Sequence, residues 1–242
     1  MVIGRGAIGL SSSFPRWVLY ITLNTMEDKA KTFKTAARDL AWLLDRGYPP
    51  KASLKLVGDR YRLPAWERAL LVRAVVPEPQ ASWRRKKKVP ARKLCGRKVA
   101  VDGYNVLATL VHGLRGRPLV LARDGFVRDA EGAGRRLRLD PQLLPALGLL
   151  KRFFRKYRPA FLGIYLDAPV SGSGELAAYL RETLLQALTL PGEVLALPEA
   201  ERRVLSGEII CTADGALLDQ ASATFDLAGY LLRRRIPFLR PF

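Results

Sequence analysis

Histidine is almost missing: the 242 residues include one, His112, and only two cysteines, Cys95 and Cys211. That excludes a disulfide scaffold. It also leaves too few nitrogen and sulfur ligands for a Cys/His zinc site or for most histidine-centred catalysis. Long apolar runs are missing as well, since none approaches the roughly 18 residues that a membrane span needs. Acid is in short supply, with 22 Asp+Glu against 41 Lys+Arg and a formal charge of +19. Hydrophobic residues are plentiful at 49%, enough to bury a core and to exclude a disordered polycation. The length accommodates one large domain or a small one plus a medium one. The starting expectation is a soluble, reduced, cytoplasmic chain with an anionic partner and no membrane contact; its oligomeric state is left open.

The excess charge is uneven. Residues 1–98 carry 22 Lys+Arg against 7 Asp+Glu, a balance of +15, whereas residues 99–242 balance at +4. Such asymmetry suggests a polyanion-gripping part joined to a more neutral globular part. The densest cluster is Arg84-Arg85-Lys86-Lys87-Lys88, beside Trp83 and continued by Arg92, Lys93, Arg97 and Lys98, with Pro77, Pro79 and Pro90 punctuating it. Two readings are open for residues 77–96: a self-repelling solvated linker, or a phosphate-tracking arm whose grip weakens with salt. Residues 1–26 are read as an extension, either disordered or left untranslated ahead of a start at Met26. Their short apolar stretch lacks the small-residue cleavage site of a secretory signal.

Between residues 27 and 76 the apolar period is helical. Phe33, Ala36, Ala37, Leu40, Leu43 and Leu44 share one face, Gly47 is a stop, Pro49-Pro50 opens a second helix and Pro64 a third. Three short helices carrying Lys51, Lys55, Arg60, Arg62, Arg68 and Arg73 are compatible with a helix-turn-helix-like module or with a plain packing bundle. The strings Leu43-Leu44-Asp45-Arg46-Gly47-Tyr48-Pro49 and Val57-Gly58-Asp59-Arg60-Tyr61 resemble the N-terminal domain of domain-of-unknown-function family 434. That resemblance implies no activity.

From residue 97 the pattern alternates between strand and helix. Lys98–Val101, Phe161–Leu166, Val194–Leu197, Glu208–Thr212 and Ile236–Leu239 read as strands. Helices are expected through Val106 and Leu110, over Pro141–Tyr157, Gly174–Leu190 and Phe225–Arg234, and through Leu217. Leu119–Val127, with Asp124-Gly125 inside it, reads as a hairpin. The expected fold is α/β, a three-layer domain over 97–242 with a mostly parallel sheet. Three strands finish at an aspartate: Asp102, Asp167 and Asp214. The carboxyl ends of neighbouring parallel strands share an edge where ligands bind, and carboxylates gathered there repel one another unless a cation neutralises them. Oxygen ligands with almost no His or Cys point to Mg²⁺ or Mn²⁺, with no zinc and no organic cofactor. A carboxylate-held divalent ion in a basic chain suits phosphodiester hydrolysis.

Several neighbours carry two readings. Asn105 caps the following helix or orients Asp102 or water. Asp219 points back to the acid edge or lies on the surface, and Glu175 completes the acid set or complements its helix dipole. Ser171-Gly172-Ser173-Gly174 holds a phosphate or is a plain loop. Asp124 is read as hairpin chemistry and Asp226 as the cap of the last helix.

Val101-Asp102-Gly103-Tyr104-Asn105-Val106-Leu107 resembles the opening strand of PIN-like nucleases, above all the NYN branch. Tyr165-Leu166-Asp167 and Thr212-Ala213-Asp214-Gly215, with Asp219, are similar to its later acid-bearing motifs, and residues 97–242 look like domain-of-unknown-function family 5616. The resemblance implies a metal-dependent nuclease, RNA its first expected substrate and DNA its second. Asp102, Asp167 and Asp214 would be the metal ligands, aided by Asn105 and Asp219. Arg84, Arg85, Lys86, Lys87, Lys88, Lys93, Ser171 and Ser173 would touch the strand. PIN domains commonly add an acid on an intervening helix; here only Asp140 is available, or Glu175 in its place. The rival expectation is a catalytically inactive PIN-like protein that binds RNA or DNA.

Overall fold

The computed structural model describes residues 16–130, 141, 143–168 and 170–242, with side chains from Asp28 onward. Helix α1 (Arg16–Asp45) begins well before the expected boundary at residue 27 and crosses it unbroken. Its buried face is Phe33, Ala36, Ala37, Leu40, Ala41 and Leu44, the spacing of an amphipathic helix. Gly47, at φ +78°, makes the left-handed turn that follows. Pro50 opens α2 (Pro50–Arg60), where its missing N–H costs nothing. Helix α3 (Ala65–Ala74) follows, and Val57, Leu63, Leu70, Leu71 and Ala74 close the small core.

The expected linker is instead helix α4 (Glu78–Lys86) followed by a 3-10 turn over Ala91–Leu94. Pro79 falls in the first turn of α4, the one place in a helix where proline fits without cost. Charge density alone had suggested an extended segment, but counter-charges far along the chain fold it.

The remainder is a three-layer α/β/α arrangement. Strands β1 (Lys98–Asp102), β4 (Phe161–Asp167), β5 (Gly192–Leu197), β6 (Ile209–Cys211) and β7 (Thr224–Phe225) form one five-stranded sheet in the order β5-β4-β1-β6-β7. Every pairing is parallel, as helical crossovers require. On one face Val99, Val101, Leu162, Ile164 and Leu166 meet α5 (Gly103–Leu114), α6 (Leu143–Lys156), α7 (Ser173–Leu180) and α10 (Leu227–Leu232). On the other, Ala100, Tyr165 and Ile210 pack with α8 (Ala200–Val204) and α9 (Gly215–Gln220). The alternation Val99/Ala100/Val101 between faces is the period-two signature of a doubly covered strand.

The hairpin is present as β2 (Leu119–Leu121) and β3 (Val127–Asp129), antiparallel. Val120 is buried in the N-terminal helical core, so this hairpin joins the two parts of the chain. Two expectations are corrected. Ile236–Leu239 forms no strand, only a single bridge from Leu239 to Val120. The sheet's edge is closed instead by the two-residue β7, too short to carry a periodic signal. The helix expected over 174–190 is α7 followed by a π-helical stretch, Arg181–Gln186.

Candidate active site

Strand β1 is flanked by β4 on one side and β6 on the other, and the chain proceeds outward in both directions. That reversal makes the carboxyl ends of β1 and β6 a topological switch point, the usual ligand position in such sheets. Asp102 is the last residue of β1 and Asp167 the last of β4; Asp214 lies just beyond β6. The Asp102 carboxylate caps α5 by accepting from the Asn105 backbone N–H at 3.3 Å, and its other oxygen accepts from the Thr212 hydroxyl at 2.8 Å. That hydroxyl also accepts from the Asp214 N–H at 3.0 Å. One threonine thus ties the Asp102 carboxylate to the backbone of Asp214. Asp214 caps α9, accepting from Ala216 N–H at 2.8 Å and Leu217 N–H at 3.2 Å. The buried Asn105 side chain accepts from Ala213 N–H at 2.8 Å, tying α5 to the loop that carries Asp214. Gly103 is needed for this closeness: a Cβ there would lie 2.9 Å from the Tyr165 carbonyl oxygen and 2.5 Å from a Leu166 methyl.

Asp102 is pushed up to about 7, first by burial, against which its two hydrogen bonds work, and further by the charges of Asp214 and Asp167. Burial raises Asp167 too. Among the described residues no cation offsets either burial. Beside them the Tyr104 hydroxyl is buried without a hydrogen-bond partner, and its proton is held more tightly by burial and by the Asp167 charge. Yet the expected three-carboxylate cage is not formed. Among the described residues no group of three or more His, Cys, Asp or Glu is placed to hold a metal ion. The reason is local: Asp102 and Asp214 are each drawn to the N-terminus of their own helix. What stands at the edge is the Asp102 carboxylate, tied through Thr212 to the backbone of Asp214, with the charges of Asp214 and Asp167 near enough to act on it.

Behind the same loop lies a second set of acids with the opposite treatment. Arg84, 4% exposed, donates from Nε to Asp219 at 2.7 Å, from Nη2 to Asp219 at 2.8 Å and to the Gly215 carbonyl at 3.1 Å, and from Nη1 to Asp124 at 3.0 Å. Arg128 grips both oxygens of Asp124 at 2.8 and 2.7 Å, and its Nε donates to the Ala213 carbonyl at 2.8 Å. The carbonyls on either side of Asp214 are therefore each held by a guanidinium. Gly215 makes room for this, since a Cβ there would stand 2.9 Å from Arg84 Nη2. Burial acts upward on Asp124, but Arg128 and Arg84 outweigh it and hold its carboxyl below the usual range; the Arg84 hydrogen bonds do the same for Asp219.

Several expected roles change as a result. Asp219 is committed to Arg84 and to Gln80 (2.7 Å) rather than to the acid edge. Arg84 and Lys87 are not strand-contacting residues: both are buried, and Lys87 donates to the Leu218 and Asp219 carbonyls at 2.8 Å each. Lys88 is partly buried, bonded to the Gly125 carbonyl and 3.7 Å from Asp226. Arg85 pairs with Glu78 and donates to the Arg123 carbonyl at 2.7 Å, with part of its side chain exposed. Lys86 and Lys93 are exposed. Ser173 is buried and donates to the Ala168 carbonyl at 3.2 Å, while Ser171 and Glu175 are exposed. Asp226 caps α10. Asp140 lies outside the described residues. Thr212 and Arg128 escaped sequence reasoning; the first stands in a motif whose acid drew the eye, and the second has no local signature.

An all-parallel α/β sheet bearing acids at its switch point defines the class. The chain belongs to the family described as Domain of unknown function (DUF5616), whose model matches residues 91–230. A second model, Protein of unknown function (DUF434), matches residues 32–87. The protein described as "Uncharacterized protein MJ0935", from Methanocaldococcus jannaschii, is 26% identical over 194 residues, covering 80% of this chain and 92% of that protein. No solved structure matches the chain.

Proposed function

We propose that the protein is a metal-dependent phosphodiesterase, a nuclease acting on RNA. One observation carries the reading: at the sheet's switch point the Thr212 hydroxyl bonds both the Asp102 carboxylate and the Asp214 backbone N–H, and among the described residues no cation pairs with the buried Asp102. A pair of hard oxygen donors fits Mg²⁺ or Mn²⁺, which keep several waters and are held by one or two carboxylates plus substrate phosphate oxygens. It does not fit zinc, for want of His and Cys. Asp102 and Asp214 would hold the ion, with Asp167 and the unpaired Tyr104 hydroxyl at the border of its water shell. Once bound, such an ion lowers the pKa of a coordinated water and stabilises charge on phosphate oxygens. The chain's own contribution is positional. Thr212 orients Asp102, Asn105 fixes the loop from one side, and Arg84 with Arg128 fixes it from the other.

The test is cleavage of labelled single-stranded and structured RNA in Mn²⁺, with metal affinity read by calorimetry. Even residues that merely orient metal ligands are worth about 10–100-fold in affinity or activity, so Asp102→Asn should lose at least about 100-fold in both. Undiminished cleavage by Asp102→Asn removes the assignment. The second reading, an inactive nucleic-acid-binding protein, is favoured by the lack of a three-acid group among the described residues. It predicts salt-sensitive RNA or DNA binding, no saturable Mn²⁺ binding and no products.

A further inference from the structure

Arg73, on α3 of the N-terminal helical part, differs from the other arginines around the acid edge. Arg84 and Arg128 are saturated by Asp124, Asp219 and carbonyl oxygens. The Arg73 guanidinium forms no hydrogen bond or ion pair among the described residues, and its Nε is buried without a partner. Its place is fixed by the backbone. Arg128 donates from Nη1 to the Arg73 carbonyl at 3.2 Å and from Nε to the Ala213 carbonyl at 2.8 Å, so one guanidinium spans from α3 to the residue next to Asp214. The charges that act on Arg73 are Asp129, Arg128 and Asp214; burial lowers its pKa from the usual guanidinium range, but arginine stays charged in proteins.

An uncommitted cation whose field reaches Asp214 has the form of an anion ligand. A guanidinium offers a planar fork of donors that matches phosphate oxygens. We propose that Arg73 binds a backbone phosphate of the nucleic-acid strand at the acid edge, so that the N-terminal helices supply a substrate-contacting residue to a site otherwise built by the C-terminal domain. The proposal rests on the nuclease reading for the identity of the strand, and on the geometry alone for the presence of an anion.

The experiment uses the full chain and a fluorescently labelled single-stranded oligoribonucleotide, with anisotropy measured in EDTA over a series of salt concentrations and Mn²⁺ binding measured separately by calorimetry. Arg73→Gln should weaken oligonucleotide binding about tenfold and reduce the slope of log affinity against log salt by about one. It should leave Mn²⁺ affinity unchanged or tighten it, because a positive charge near Asp214 is removed. Arg73→Lys, which keeps the charge, should retain the slope and recover part of the affinity. A residue that is only a structural counter-charge gives another pattern: metal and oligonucleotide binding fall together, or neither moves and only the melting temperature drops. Either overturns the proposal. If Asp102→Asn binds Mn²⁺ as well as the wild type does, the nuclease reading fails, while the EDTA titrations still decide Arg73.

Discussion

Two sets of aspartates flank the loop 212–215, and their surroundings are opposite. Asp124, fully buried, and the half-buried Asp219 are met by Arg84 and Arg128 through paired, charge-assisted hydrogen bonds, and both carboxyls are held below the usual range. Asp102 and Asp167, on the other side, have no basic partner among the described residues, and both are pushed up. A chain with 41 Lys+Arg does not lack cations to place there. The difference separates acids that hold the molecule together from acids left uncompensated, the condition expected where a ligand supplies the missing charge.

The largest effect should come from breaking the compensated set. Asp124→Ala leaves two buried guanidiniums facing each other, and removing one partner of a buried ion pair costs about 3–5 kcal/mol. For a chain of this size that corresponds to a melting temperature lower by roughly 10 °C, measurable by calorimetry or urea unfolding. A cost under about 1 kcal/mol would show that the network does not carry the join between the N-terminal helices and the sheet domain.

The uncompensated set should respond with the opposite sign. Asp102 has a folded-state pKa of about 7, above the ordinary 3.8 it takes in the unfolded chain. The folded state therefore binds the proton more tightly, and stability falls as pH rises from about 4 to 7, with the cost fully expressed above pH 7. Asp102→Asn removes that cost. It should be more stable than the wild type at pH 8, on the order of 1–3 kcal/mol, with the gain vanishing below pH 4. Paired unfolding curves at pH 4 and pH 8 check it; a variant less stable at pH 8 contradicts the charge assignment. Mn²⁺ should raise the melting temperature of the wild type and not of Asp102→Asn.

The two sets were not equally legible in the sequence. Asp102, Asp167 and Asp214 each close an apolar run, and a parallel sheet brings strand ends to one edge, so local pattern plus topology located them. The helices of residues 28–74 were visible for the same reason, because Phe33, Ala36, Ala37 and Leu40 repeat at helical spacing. Arg84 was unreadable. It meets Asp124 and Asp219, 40 and 135 positions away, and nothing in a run of five basic residues distinguishes the buried member from the solvated ones. The cage failed for a comparable reason: topology places strand ends, but the N–H groups of the next helix decide where a carboxylate turns. Strand β7 escaped because two residues cannot show a period.

That run of basic residues offers the finest version of the comparison, between a lysine spent on the fold and one left to solvent. Lys87 Nζ donates to two carbonyls and lies 4.6 Å from the centre of the exposed Trp83 ring. Lys87→Ala leaves those carbonyls without their donor, which costs about 1–3 kcal/mol in unfolding free energy. Lys93 is exposed at the surface, and Lys93→Ala should change stability by no more than about 0.5 kcal/mol. If the solvated half of the run tracks phosphates, the order reverses in a binding experiment. Lys93→Ala should lower the salt slope of oligonucleotide binding by about one, with a loss under tenfold, whereas Lys87→Ala, measured where it is folded, should leave the slope intact. Equal slopes for both variants and the wild type would mean that neither lysine meets the strand.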